Sequence, residues 1–229
     1  MDGIVSHIVA MSANPSELPT LQRTLLAADG ALAAGVDAIP AALQQLTPGA
    51  HSLGAVHLLL ALANAPKDAA GGAAFVSLAS AYLRAASPAQ VCHAPAQLVD
   101  LCQRFKEAVI AAGVPRLGVA PLLAAAAALA GGRAGALTPL HADALHLCIL
   151  AKTYAAAAPL LAEDVTEVDT AATCVTGTDL QLYCLYGGMI CTARKDLRRA
   201  LELYLQARVF AAAGGFGVFL GGFMTFWAV

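Results

Sequence analysis

The sequence predicts an all-α chain, a right-handed helical-repeat solenoid of antiparallel helix pairs, and three observations carry that expectation. Apolar residues recur at helical spacing in stretches of about a dozen, each bounded by Pro or Gly. No segment alternates apolar and polar residues long enough to build a sheet. The third observation is residues 178–208, TDLQLYCLYGGMICTARKDLRRALELYLQAR, where periodicity, a helix break and charge placement agree. Leu180, Tyr183, Cys184, Tyr186, Gly187, Met189, Ile190 and Cys191 follow a helical rhythm, and Lys195 and Asp196 mark a turn. Leu197, Ala200, Leu201, Tyr204, Leu205 and Arg208 then recur at three- and four-residue steps, leaving Arg198, Arg199, Glu202 and Gln206 mostly on the other face. Gly188, with Ala200, Tyr204 and Ala207 after it, matches the small, small, aromatic, small positions of a tetratricopeptide-like pair, with Gly187 and Gly188 expected at a close helix crossing. Such a unit cannot bury its apolar face alone and needs neighbours on both sides.

The remaining helices follow in order. Ser16 is placed to cap a helix reaching Ala34, with Leu18, Leu21, Leu25 and Leu32 near one face and Gly35 as its stop. Residues 36–46 give a second, Thr47-Pro48-Gly49 a turn, and 52–64 a third. After a break at 66–72 come helices at 73–86, 97–112 and 117–130, the last ended by Gly131-Gly132. Thr138-Pro139 opens the next as an N-cap with proline at the first helical position, running to about Tyr154 and paired with 155–161. Residues 163–178, acidic and β-branched, read as a connector.

Composition narrows function more by exclusion than by assignment. With 229 residues, 59% of them hydrophobic, the chain has ample material for a core, and much of its mean hydropathy of +0.69 comes from alanine, a helix former. A net charge of −2 gives no electrostatic reason to expect nucleic acid or an anionic membrane surface. Cys92, Cys102, Cys148, Cys174, Cys184 and Cys191 form no CxxC and no short framework, as expected of reduced thiols in a cytosolic or nuclear compartment. The N-terminus lacks the basic region of a secretory signal.

Motifs for catalysis are missing. There is no HExxH, no phosphate-binding GxxxxGK[ST] and no GxSxG, so neither enzymatic chemistry nor a cofactor or metal is expected. His141, Asp143, His146 and Cys148 are all potential ligands, but His141 and His146 sit roughly 140° apart around a helix and cannot share a face as i, i+4 ligands do. His141 or Asp143 is expected to serve the helix terminus instead. Arg194, Lys195, Arg198 and Arg199 form the one basic group able to meet an acidic partner, although the interleaved Asp196 and Glu202 favour a solvated face.

Residues 51–60 (HSLGAVHLLL), 137–152 (LTPLHADALHLCILAK) and 183–207 (YCLYGGMICTARKDLRRALELYLQA) resemble, in order and spacing, the N-terminal half of the subunit-three family of the COP-nine signalosome, part of the proteasome-lid-like PCI group. The resemblance spans most of 40–208. It implies a non-catalytic scaffold in nucleus and cytoplasm, touching other signalosome subunits in a complex that removes a ubiquitin-like modifier from cullin-RING ligases through a metalloprotease centre elsewhere. It further implies that a PCI module following the repeats makes the main assembly contacts while the repeats project as an arm. The chain accordingly divides into N-terminal repeats (1–135), tetratricopeptide-like pairs (136–208) and an apolar tail (209–229) unlike the family. That tail, uncharged and 21 residues long, is long enough to cross a bilayer, so an adaptor anchored through it is the alternative. Without a following repeat, the second-helix face at Leu197, Ala200, Leu201, Tyr204 and Leu205 is expected to lie uncovered.

Overall fold

The computed structural model describes residues 1–65 and 69–213, and among these every regular element is helical. The helices are α1 (Asp2–Ser12), α2 (Leu18–Ala27), α3 (Asp29–Ala34), α4 (Ile39–Gln44), α5 (Ser52–Asn64), α6 (Ala69–Arg84) and α7 (Pro88–Val91). They continue as α8 (Pro95–Ala111), α9 (Pro115–Ala130), α10 (Pro139–Leu150), α11 (Ala158–Ala162), α12 (Thr170–Thr173), α13 (Gly177–Ala193) and α14 (Leu197–Ala213). Most of the apolar tail lies outside the described residues. No described helix is long and apolar enough to cross a membrane.

Four differences from the sequence reading have local causes. The first twelve residues, left unassigned above, form α1, because Val5 and Ile8 find cover on α2 and α5. Ser16 caps nothing: it sits in a 3₁₀ turn (Pro15–Glu17), with Glu17 at the start of α2, while the Asn14 amide donates to the Glu17 carboxylate. The single helix expected to reach Ala34 breaks at Ala28, whose ψ of 0° lets the chain turn before Asp29. Residues 163–178 are more than a connector, since Asp169 accepts hydrogen bonds from the amides of Ala171 and Ala172 and so caps α12.

Packing follows a repeated scheme. The outer partners α6 and α9 touch each other, and the inner helices α5, α8, α10 and α13 are stacked in succession. Three of these inner helices end alike. The amides of Val114, Thr153 and Asp196 donate to the carbonyls of Val109, Cys148 and Cys191, each at 2.9 Å, with Gly113, Lys152 and Lys195 in the left-handed conformation between them. This is the six-to-one closure of a Schellman turn, and it sets a common register for the three helices. Leu101, Leu140 and Tyr183 then correspond, as do Cys102, His141 and Cys184, and all are buried. The spacing, roughly 40 residues, is that of helical repeats, and neighbouring repeats share one apolar core running from Val5 to Leu203.

The N-terminal helices are tied to this array by buried polar side chains. Gln90 accepts from the Leu53 amide at 3.0 Å and donates to the Ala50 carbonyl at 2.6 Å, and the Tyr82 hydroxyl reaches the carbonyls of Leu43 and Leu46. His57, enclosed under α2, shares a 2.8 Å hydrogen bond with Gln22.

Candidate interaction surface

Near the far end of the array, α13 and α14 form the hairpin singled out by the sequence. A capping box starts α13: the Thr176 amide and hydroxyl donate to Asp179, whose own amide donates back to Thr176. Lys195 then takes φ +64° and Asp196 caps α14 through the Arg199 amide. Where the helices cross, a Cβ on Gly188 would lie 2.5 Å from Tyr204 Cε1, and one on Gly187 2.8 Å from Leu161 Cδ2. Hydrogen is the only substituent that leaves Tyr204 this close. In the common register Gly187 corresponds to Ala144 of α10 and Phe105 of α8, so this inner position shrinks from Phe to Ala to Gly along the array.

Sequence periodicity placed the buried face of α14 imperfectly. Ala200 and Ala207 do turn inward, but the residue between them is Leu203, 1% exposed, which the reading omitted. Leu197, Leu201 and Leu205, assigned to one stripe with Ala200, face solvent, and Tyr204 sits at the rim with its hydroxyl 3.4 Å from that of Thr192. The helix carries two apolar rows, and α13 has room for one. The step from Ala200 through Leu203 to Ala207 was the signal for the buried row, masked by three larger leucines beside it.

The basic group does not act as a unit. Arg194, Lys195 and Arg198 are exposed at the hairpin turn, Arg198 pairing with Glu202 one turn on. Arg199 is not part of a solvated face: its side chain is only 19% exposed, and its guanidinium lies 2.8 Å from Asp164 and 3.2 Å from Glu202 and donates to the Leu161 and Glu163 carbonyls. It pins α14 to the end of α11.

The histidine and cysteine side chains near the hairpin are engaged in structure. His141 Nδ1 accepts from the Thr138 amide at 2.9 Å, completing a capping box that opens α10, and its ring meets Tyr183 edge-on. His146 stacks on Tyr186 at 5.1 Å, and Asp143 pairs with Lys106. Burial lowers the pKa of both histidines and pushes the Cys184 thiol up to about 11 and the Tyr183 hydroxyl to about 12; it raises the Cys102 thiol as well. A nucleophilic thiol needs the opposite shift. Beside His141 and Tyr183, a cavity of about 480 Å³ opens between α9, α11 and the 132–137 loop.

These features define the chain as a helical-repeat protein whose distinctive chemistry is surface and packing. The family described as "COP9 signalosome complex subunit 3, N-terminal helical repeats" matches residues 16–213. The chain belongs to this family. Relatives named COP9 signalosome complex subunit 3 are 33% identical over 203 residues in Arabidopsis thaliana, covering 89% of this chain and 46% of the relative. In Dictyostelium discoideum the figures are 34% over 155 residues, 67% and 37%, and in Drosophila melanogaster 29% over 178 residues, 71% and 40%. The chain thus spans less than half the length of these relatives.

Proposed function

We propose that the chain is a non-catalytic scaffold arm of a COP9 signalosome, acting by protein contacts with sister subunits in nucleus and cytoplasm, in a complex that removes a ubiquitin-like modifier from cullin-RING ubiquitin ligases. The observation that carries this reading is the family match across 16–213, joined to a hairpin whose polar and sulfur side chains are engaged in capping, stacking and packing. Repeat arrays of this kind present extended surfaces to partners. The PCI half of the family is proposed to make the principal assembly contacts, with the repeats projecting from it.

The test compares, in one lysate, the 229-residue chain and a chimera extending it with the C-terminal half of the Arabidopsis relative. Sister subunits should co-purify with the chimera and less with the chain alone, and the purified chain should leave modified cullin uncleaved. Equal recovery would assign the assembly contacts to the repeats, recovery by neither would remove the signalosome assignment, and cleavage by the chain alone would remove the scaffold reading.

A further inference from the structure

The cavity beside His141 and Tyr183 holds two hydrogen-bonding groups with capacity to spare. His141 Nδ1 accepts the Thr138 amide, so the proton of the neutral ring sits on Nε2, and nothing among the described residues bonds to that atom. The residue is 8% exposed and lines the cavity. Tyr183, 3% exposed, donates its hydroxyl to the Leu160 carbonyl at 3.5 Å, which leaves the oxygen free to accept. A buried donor without a protein partner calls for an explanation. We infer that this cavity binds an extended segment of another protein, taking one large apolar side chain with a Lys or Arg next to it. The inference deepens the scaffold reading and rests on it for the partner being a protein.

Shape, hydrogen bonding and charge each select that occupant. The volume of about 480 Å³ falls within the roughly 300–1,000 Å³ of binding pockets, and Leu123, Ala130, Leu137, Leu160 and Val165 give it apolar walls. One donor beside one acceptor is the complement of a peptide backbone, which offers a carbonyl and an N–H. The mouth is acidic, since Glu163, Asp164, Glu167 and Asp169 face only Arg133 and Arg199. Arg133 is held by Glu167 and Asp169 and Arg199 by Asp164, whereas the Glu163 carboxylate bonds to nothing among the described residues. A cation beside the apolar anchor is therefore attracted and a carboxylate repelled. The rim is built before a partner arrives: the Thr166 amide donates to the Gly135 carbonyl at 3.0 Å and the Leu137 amide to the Glu167 carbonyl at 2.9 Å. Little ordering is left to oppose binding.

The test uses the purified 229-residue chain and displayed random seven-residue peptides, with no signalosome present, so its failure leaves the family assignment standing. Peptides are selected on the chain and counter-selected on Ala127→Phe, which fills the cavity from the exposed side of α9. The enriched sequences should carry Leu, Met or Phe next to Lys or Arg. A synthetic consensus peptide should bind about tenfold more weakly to His141→Gln, which keeps the capping bond but loses the Nε2 donor, and more weakly to Tyr183→Phe. Glu163→Gln should weaken binding and reduce its dependence on salt. Circular dichroism of the variants should match that of the unaltered chain. Four results would each overturn the inference: no enrichment over Ala127→Phe, a consensus rich in Asp and Glu, a consensus peptide indifferent to both His141→Gln and Tyr183→Phe, or N-acetyl-leucinamide binding as tightly as the peptide, which assigns the cavity to a small neutral molecule.

Discussion

Gly188 and His141 each hold their place through one atomic requirement. Against Gly188 the Tyr204 ring lies where a Cβ would stand, so Gly188→Leu should overpack the hairpin and cost about 1–3 kcal/mol. Denaturant unfolding measures this, and an unchanged midpoint would contradict the close crossing. His141 must stay neutral at Nδ1 to accept the Thr138 amide, and burial lowers its folded pKa below the unfolded value of about 6.5. The unfolded chain therefore takes up protons first as pH falls, and the stability His141 supplies is present above about pH 6.5 and lost below it. His57 and His146 are lowered too, also by burial, and add to the same slope. In His141→Gln, where the amide oxygen can keep the capping bond, the stability profile below pH 6.5 should flatten without a loss at neutral pH.

Between α11 and α14 the contact depends on one guanidinium. Arg199→Ala leaves the Leu161 and Glu163 carbonyls without their donor and should cost about 1–3 kcal/mol. Arg199→Lys should recover little, because an ammonium cannot replace a planar fork aimed at two carbonyls and two carboxylates. Thermal melts of both variants decide it. This role was hidden in the sequence, since Asp164 and the two carbonyls lie more than thirty residues upstream and periodicity sees only α14 itself. What periodicity did show were α5, α8, α9 and the α13–α14 turn, where Pro, Gly and capping residues mark the ends in the local text. The inward row of α14 and the break at Ala28 depend on which neighbour arrives, so local text could not fix them. Helix α1 was missed because its apolar residues, from Ile4 to Met11, form one short run whose buried side is set only by contact with α2 and α5.

For the whole molecule, contacts run from each repeat to the next, so cooperativity should weaken toward an end. Hydrogen exchange should show Gly188→Leu loosening α13 and α14 while amides of α5 and α8 keep their protection. Equal loss throughout would mean the array unfolds as one unit. The shared left-handed closure at Gly113, Lys152 and Lys195 also determines where such a chain can grow. At each of these closures the next helical turn starts after three residues (112–114, 151–153 and 194–196), whereas the returns from α9 to α10 and from α11 to α13 run through longer segments, 131–138 and 163–176. A short Gly-Ser insertion near Arg133 or Thr166 should leave every helix in register, and the same insertion at Lys195 should draw the Tyr204 ring of α14 away from Gly188 of α13. Added sequence can therefore be displayed along one edge of the array, while the opposite edge keeps its length.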